Sequence, residues 1–121
     1  MFFPAAHVRV WLYTRATDMR KSYDGLSALV NNVLHEDPTS GNLFVFINRK
    51  RTQMKVLYFD RSGYCVWSKR LEQGRFQVWS EKEDKMALDW TRLKLLLEGI
   101  DVRERKQYKR YMHPQTAHAA V

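Results

Sequence analysis

Apolar-rich runs between short polar segments mark the stretch from Gly41 to Phe76 as the clearest strand-forming part of the sequence. It contains three apolar-rich runs, Leu43–Ile47, Met54–Phe59 and Tyr64–Leu71, which short polar segments separate. Val, Ile, Tyr, Phe and Trp dominate these runs, and such side chains suit a pleated, half-buried surface. Because short connections join neighbouring antiparallel strands, the pattern predicts a three-stranded meander at the centre of the fold.

The two connections inside this meander differ in their chemistry. The first is polar and contains three consecutive cations, Arg49, Lys50 and Arg51. The second has Asp60 at its first position and Gly63 at its fourth, which predicts a type I turn. Both connections are short enough to close hairpins, so the three cations are expected at a hairpin tip.

The segments before the meander predict one strand and one helix. Residues Val8–Tyr13 alternate with a period of two, which is typical of a strand. Within Tyr23–Leu34 the apolar residues recur every three or four positions, which predicts a helix with Ser22 as its N-cap. This helix must end before Pro38, because proline disfavours helical backbone at the residue before it.

After the meander, the sequence predicts a further strand and a final helix. Apolar positions of one parity predict the strand; they are Phe76 and Val78, followed by Ser80. The charged residues 81–85 predict a solvated loop. Asp89 is expected to cap the final helix, and Gly99 stands where a helix commonly terminates. The apolar positions of that helix are Trp90, Leu93, Leu96, Leu97 and Ile100.

Length and composition indicate one domain with a tail. The chain has 121 residues, of which 45% are hydrophobic, enough for one well-packed core. We expect an α+β domain over residues 1–101, an antiparallel sheet of about five strands with two helices packed on one face. Residues 102–121 are predicted to form a basic, partly disordered C-terminal tail, because residues 113–121 have little to bury.

Strand alternation assigns the apolar residues to two faces of the sheet. The set predicted to face the helices is Val8, Val10, Leu12, Leu43, Val45, Ile47, Met54, Val56, Tyr58, Cys65 and Trp67. The opposite set is Phe44, Phe46, Leu57, Phe59, Tyr64 and Val66. If the second face lacked a cover, it would be a partner or homodimer surface.

The charge balance favours a polyanionic partner. Lys and Arg number 21 against 13 Asp and Glu, a formal net charge of +8, and nucleic acid is the commonest such partner. An acidic protein or a membrane surface are the alternatives. No apolar run approaches the roughly 18 residues that a membrane-spanning helix needs, and the N-terminus lacks the pattern of a secretory signal. Cys65 is the one cysteine, so we expect a cytoplasmic protein without an internal disulfide.

Nine cations form the candidate DNA-contact set, because cations on a sheet and its turns can follow a phosphate backbone. They are Arg49, Lys50, Arg51, Lys55, Lys69, Arg70, Arg75, Arg20 and Lys21. The last two precede the first helix, where backbone N–H groups favour phosphate. The competing interpretation is an ordinary solvated hairpin tip above an aromatic core. The basic tail could likewise run along DNA, bind an acidic face of a partner, or extend the last helix into solvent.

Catalytic chemistry has little support in the sequence. The four histidines lack metal-ligand spacing and one cysteine builds no zinc site, so we expect no metal and no cofactor. The enzymatic alternative is a small, basic, metal-free ribonuclease in which cations stabilise the phosphoryl transition state. Its proton-transfer residues would be Glu72, His35 or His113.

Four segments in order resemble the small TnpB (Orf2-like) accessory proteins of bacterial transposable elements of the insertion sequence 66 family. They are TDMRKSYDGL at 17–26, DPTSGNLFVF at 37–46, KRLEQGRF at 69–76 and LLLEGID at 95–101. The resemblance covers roughly residues 8–101 and leaves the basic tail outside it. It implies a non-enzymatic, cytoplasmic factor that is required for transposition beside a separate, larger transposase, with DNA and the transposase as expected partners. The alternative is a protein–protein adaptor without DNA contact.

Overall fold

The computed structural model describes residues 7–78, 82–101 and 106–107. The elements are β1 (Val10–Ala16), α1 (Tyr23–Asn32), β2 (Leu43–Ile47), β3 (Gln53–Asp60), β4 (Gly63–Arg70), β5 (Lys85–Leu88), α2 (Trp90–Glu98), β6 (Ile100–Asp101) and β7 (Lys106–Gln107). The first five strands form one sheet in the order β4-β3-β2-β1-β5, and β6 pairs with β7. The predicted α+β class and the five-stranded sheet are therefore confirmed.

The meander is present as predicted, with antiparallel pairing of β2 with β3 and of β3 with β4. β1 also pairs with β5 in antiparallel orientation. The exception is β1 with β2, which pair in parallel because α1 carries the chain back to the end at which β1 began. The sheet is thus mixed, whereas the sequence pattern predicted an antiparallel one.

The two helices lie on opposite faces of the sheet, and the prediction that both pack on one face is wrong. Leu26 and Val30 of α1 pack in a cluster with Phe44 and Phe46. On the other face, the buried residues of α2 pack with Val10, Leu12, Leu43, Val45, Ile47, Met54 and Val56. All five residues of β2 are buried. Because this strand is apolar on both faces, each face needs its own cover.

The predicted assignment of side chains to the two faces is confirmed for the core strands. Of the eight buried strand residues in the α2-side cluster, seven belong to the set predicted to share a face, and the eighth is Leu88 of β5. Val8, Tyr58 and Trp67 of the predicted set pack against them. Five of the six residues of the opposite set belong to the α1-side cluster: Phe44, Phe46 and Leu57 are buried, and Tyr64 and Val66 are partly buried at its margin. Phe59 is the exception, and its ring contacts that of Tyr64 edge to face. The second face is therefore covered within the monomer.

The fifth strand is not where the sequence predicted it. Phe76 is fully buried, but it belongs to a loop. Residues 76–78, the described part of the predicted strand, form no strand, and Ser80 lies outside the described residues. The strand is β5, which begins at Lys85 in the segment expected to be a charged loop. Lys85 fits there because its ammonium pairs with Glu36 and lies 4.7 Å from the centre of the Trp11 ring.

The ends of the helices and turns follow local rules with two exceptions. Asp89 caps α2 by accepting a hydrogen bond from the Arg92 N–H at 2.6 Å, and Gly99 ends it with a φ of 78°. Ser22 occupies the N-cap position of α1, but its side chain makes no capping hydrogen bond. The second connection of the meander is not a type I turn, because Arg61 has a φ of 49°. Two-residue hairpins favour such mirror-image turns, which match the twist of the strands.

Two remaining features concern membranes and the tail. Neither helix among the described residues is long and apolar enough to cross a membrane. In the segment predicted as a tail, residues 106–107 form β7, so a helical extension is wrong at these two positions. Residues 102–105 and 108–121 lie outside the described part of the chain.

Candidate nucleic-acid interface

The strand register brings three loops together at one end of the sheet. Ala16, at the end of β1, is aligned with Ile47, at the end of β2. Ile47 in turn pairs with Met54, and Gln53 pairs with Arg70 at the end of β4. The β1–α1 loop, the β2–β3 turn and the segment that follows β4 therefore leave the sheet at the same end. We call the β2–β3 turn, Asn48–Thr52, the basic turn.

An open groove of about 680 Å³ lies between these loops. Its lining residues are Thr17, Asp18, Met19, Arg20, Asn48, Arg49, Lys50, Thr52, Gln53 and Arg70. Four of them are cations and one is a carboxylate, so the groove has an excess of positive charge. Four of the nine cations predicted as DNA contacts are thus gathered in one groove, although they come from two separate loops and the end of β4.

The side chain of Asn48 organises the basic turn. Its Oδ1 accepts hydrogen bonds from the backbone N–H groups of Thr52 at 2.9 Å and Gln53 at 3.1 Å. The Arg51 N–H donates to the carbonyl oxygen of Asn48 at 3.0 Å. Arg51 itself has a φ of 61°, a left-handed conformation that costs a non-glycine residue free energy. The backbone that presents the cations is therefore held in one shape.

The segment after β4 braces this turn from the side. The Leu71 N–H donates to the Thr52 carbonyl at 2.8 Å, and the Phe76 N–H donates to the Arg51 carbonyl at 2.7 Å. The ring of Phe76 is fully buried in the α2-side core, which anchors the segment. The neighbouring residue Arg75 is exposed. Anchoring through Phe76 therefore keeps Arg75 beside the basic turn without placing it among the lining residues of the groove.

Lys55 and Lys69 hold the scaffold together through their ammonium groups. Lys55 Nζ donates to the carbonyl oxygens of Met19 at 2.7 Å and Lys21 at 2.8 Å, which ties the β1–α1 loop to β3. Lys69 Nζ donates to the Leu97 carbonyl at 2.8 Å, near the C-terminus of α2, where helix carbonyls lack intrahelical partners. Both ammonium groups are therefore less available to a phosphate than an unpaired cation would be.

Arg20 stands beside a carboxylate that partly neutralises it. Its Nη2 donates to Oδ2 of Asp18 at 2.7 Å, and its backbone N–H donates to Oδ1 at 2.9 Å. These side-chain and backbone hydrogen bonds from Arg20 lower the pKa of Asp18 from 3.8 to about 2. The Arg20 side chain is nevertheless 92% exposed. Lys21, next in the chain, is exposed as well.

The cations of the basic turn stand apart from the ion pairs of the described residues. Those pairs include Arg15 with Asp84, Arg20 with Asp18, Arg70 with Glu72 and Lys85 with Glu36. Arg49, Lys50 and Arg51 belong to none of them and are exposed. Their charge is therefore available to an external anion.

His35 and Glu72, the two described residues among those nominated for ribonuclease chemistry, are not brought together. His35 adjoins Glu36, which pairs with Lys85 on the edge strand β5. Glu72 follows β4 at the opposite edge of the sheet and pairs with Arg70. His113 lies outside the described residues.

The sequence analysis identified the cations of the groove. It did not identify the residues whose hydrogen bonds determine the shape of the groove. Asn48 was grouped with the polar connection, although an asparagine directly after a strand is a known signal for side-chain-to-backbone hydrogen bonds in a turn. Asp18 accepts a hydrogen bond from the Arg20 N–H, as an aspartate in a turn commonly does. Its salt bridge with the same residue was not foreseen.

Comparison with known proteins identifies the family of this α+β chain. The family model described as IS66 Orf2 like protein matches residues 8–107. The match covers more than the resemblance found in the sequence, because it includes the first residues of the predicted tail. The chain belongs to the IS66 Orf2-like family. Membership implies a transposition-associated accessory role with transposon-related partners, and the family is not known as catalytic.

Two relatives come from Sinorhizobium fredii (strain NBRC 101917 / NGR234). The uncharacterized protein y4hO is 44% identical over 98 residues, which is 80% of this chain and 84% of the relative. The uncharacterized protein y4jC is 32% identical over 101 residues, 84% of this chain and 86% of the relative. No solved structure matches the chain significantly.

Proposed function

We propose that this protein is a non-enzymatic transposition factor that binds the phosphate backbone of DNA through the groove and the basic turn. The observation that carries the proposal is the convergence of Arg20, Arg49, Lys50 and Arg70 on one groove. The transposase of the same element is the expected protein partner, and the cytoplasm is the expected place of action. Residues 1–101 would be the binding domain, with residues 102–121 as a basic appendage.

Phosphate binding follows from the charge and the geometry of the basic turn. Arg49, Lys50 and Arg51 lie outside the ion pairs of the described residues, so binding a phosphate would not require breaking one. Asn48 and the segment that ends at Phe76 hold the turn backbone, so little ordering entropy is lost on binding. Contacts of this kind supply affinity and orientation, and they carry no direct sequence information.

The test is the triple substitution Arg49→Ala, Lys50→Ala and Arg51→Ala, compared with the single substitution Arg61→Ala. Arg61 is also an exposed hairpin cation with a positive φ, but it lies at the other end of the sheet. DNA affinity is measured by fluorescence anisotropy over a range of salt concentrations, with element-end DNA and with unrelated DNA of equal length.

For the triple variant, we expect affinity to fall on both DNAs and the log K against log [salt] slope to flatten by roughly three units. Arg61→Ala should leave both quantities unchanged. Each substitution should alter the free energy of unfolding by no more than about 0.5 kcal/mol. An unchanged salt slope together with lost transposition would contradict the proposal and would favour the protein–protein adaptor.

A further inference from the structure

The sheet has two edges, and they differ in how well they are protected. β5 is four residues long, whereas β4 has eight residues, Gly63–Arg70. Natural edge strands avoid pairing with other chains by shortness, proline, charge or bulges. In β4 the first six residues, GYCVWS, contain neither proline nor charge, and its register with β3 runs without a bulge. As far as the described residues show, this edge therefore lacks the usual protection.

The hydrogen-bond pattern shows which backbone groups of β4 point outward. The Leu71 N–H donates to the Thr52 carbonyl, which continues the register that pairs Gln53 with Arg70. Because antiparallel ladders alternate, odd-numbered residues of β4 turn their backbone groups toward β3. The backbone groups of Tyr64, Val66 and Ser68 consequently point away from the sheet. Within the described residues, β4 pairs with β3 alone.

We propose that two copies of this chain pair through their β4 edges in antiparallel orientation about a two-fold axis at Val66. In this register Val66 faces Val66 of the second copy, and Tyr64 faces Ser68 of the second copy. The three outward residues of each copy then find partners in about six backbone hydrogen bonds. The edge fits a copy of itself because the same three residues supply both sides of a two-fold interface.

The side chains of β4 are compatible with this pairing. Tyr64, Val66 and Trp67 are only partly buried in the monomer, so a neighbouring strand would cover more of their apolar surface. In the proposed register Lys69 faces Gly63 of the second copy and Arg70 faces Ser62. Like charges are thus not placed directly opposite one another along the strand, although each copy carries a formal net charge of +8.

The dimer would place two basic grooves at opposite ends of one continuous sheet. Arg70 and Arg70 of the second copy are eight register positions apart, or about 27 Å at ~3.4 Å per residue. This spacing approaches the ~34 Å turn of B-form DNA that separates the half-sites of two-fold proteins. This consequence rests on the proposed function of the groove, whereas the strand pairing itself does not depend on it.

The first test measures mass in solution without DNA, by light scattering after gel filtration. We expect the natural chain to be a dimer, and Val66→Lys to be a monomer because two ammonium groups would face each other at the axis. The matched control is Ala87→Lys, which adds the same charge to the exposed surface of the other edge strand and should remain a dimer. Circular dichroism verifies that both variants are folded.

The second test fixes the register by cross-linking and does not depend on how well Val66→Lys folds. In a Cys65→Ser background, Val66→Cys places two thiols on a directly opposed pair, with Cα atoms about 5.5 Å apart, within disulfide range. Ser68→Cys in the same background leaves the two thiols four register positions apart, about 14 Å along the strand. Mild oxidation should link the Val66→Cys variant into a covalent dimer and leave the Ser68→Cys variant monomeric on a denaturing gel.

Three results would overturn the strand pairing: a monomeric natural chain at high concentration, a folded Val66→Lys variant that remains a dimer, or cross-linking at Ser68→Cys instead of Val66→Cys. The salt dependence of each measurement distinguishes failure of the strand pairing from failure of the proposed DNA binding. Raising the salt concentration should strengthen self-association, because it screens the repulsion between two positively charged copies. The same change should weaken DNA binding.

Discussion

The two hairpin turns of the meander carry similar chemistry at opposite ends of the sheet, and their surroundings differ. The basic turn has Arg51 at a φ of 61°, and the β3–β4 turn has Arg61 at a φ of 49°. Both arginines are exposed. Within the described residues, the basic turn faces the β1–α1 loop across a groove and is braced by the segment that follows β4. The β3–β4 turn closes with two residues and does not line this groove.

The difference shows what a binding surface needs beyond charge. The backbone of the basic turn is held from within by the Asn48 side chain and from the neighbouring segment by the Phe76 N–H. Lys55 fixes the opposite wall of the groove by holding the carbonyl oxygens of Met19 and Lys21. An exposed cation such as Arg61 can attract an anion, but Arg61 is not among the residues that line the groove.

The largest expected effect comes from Lys55→Met, which removes the tie between the β1–α1 loop and β3 while keeping the length of the side chain. Two carbonyl oxygens would lose a charged donor, so the free energy of unfolding should fall by about 2 kcal/mol in urea titrations. DNA affinity should fall while the salt slope stays unchanged, because Lys55 positions one wall of the groove and does not contact a phosphate.

The matched control for this prediction is Lys50→Met at the tip of the basic turn. It should flatten the salt slope by roughly one unit and change the free energy of unfolding by less than about 0.5 kcal/mol. If Lys55→Met flattened the slope and left stability intact, Lys55 would be a phosphate contact, as the sequence interpretation assumed.

Glycine substitutions at Arg51 and Arg61 have a smaller expected effect, and they distinguish the contribution of backbone strain to stability from the contribution of charge to DNA affinity. Arg51→Gly and Arg61→Gly both relieve a left-handed residue, and the greater freedom of glycine in the unfolded chain partly offsets this gain. We expect both variants to gain up to about 1 kcal/mol in the free energy of unfolding. Only Arg51→Gly should lower DNA affinity, as measured by anisotropy. Equal losses of affinity in the two variants would remove the distinction between the two ends of the sheet.

Much of the fold could be predicted because its signals are local. Three apolar-rich runs separated by short polar segments predicted the meander, and the Asp89 and Gly99 positions predicted the ends of α2. The faces covered by the helices could not be predicted, because alternation reveals that β2 is apolar on both sides without revealing which helix covers each. The strand at Lys85 was missed because its charge is compensated by Glu36, which lies 49 residues earlier in the chain.

The sequence was sufficient to predict which cations belong to the candidate site. It was not sufficient to predict the contacts that position them. The run from Arg49 to Arg51 identifies a basic hairpin tip from sequence alone. That Lys55 holds a loop 34 residues away depends on tertiary contacts that no local pattern encodes. The same holds for Lys69, whose ammonium binds the Leu97 carbonyl on another element. Whether a lysine stabilises the fold or contacts a ligand therefore depends on the carbonyl groups that surround its ammonium group in the folded protein.

The smallest expected effect concerns Asp18, the one carboxylate among the groove's lining residues. Its folded pKa of about 2 lies below the ordinary 3.8, so its stabilising pair with Arg20 is fully present above about pH 4 and is lost as the pH falls through 2. The carboxylate therefore stays ionised wherever DNA binding is measured, and it opposes a phosphate in the groove.

Asp18→Asn removes this charge and retains an oxygen that can accept from the Arg20 N–H. DNA affinity should rise modestly and the salt slope should steepen by up to about one unit, because Arg20 is freed to meet a phosphate. The ratio of affinities between variant and natural chain should stay constant from pH 5 to pH 8, since Asp18 does not titrate in that range. The control is Asp84→Asn, which frees Arg15 beside β5 and outside the groove, and should leave affinity unchanged. Equal gains from both substitutions would mean that net charge, rather than the groove, determines DNA affinity.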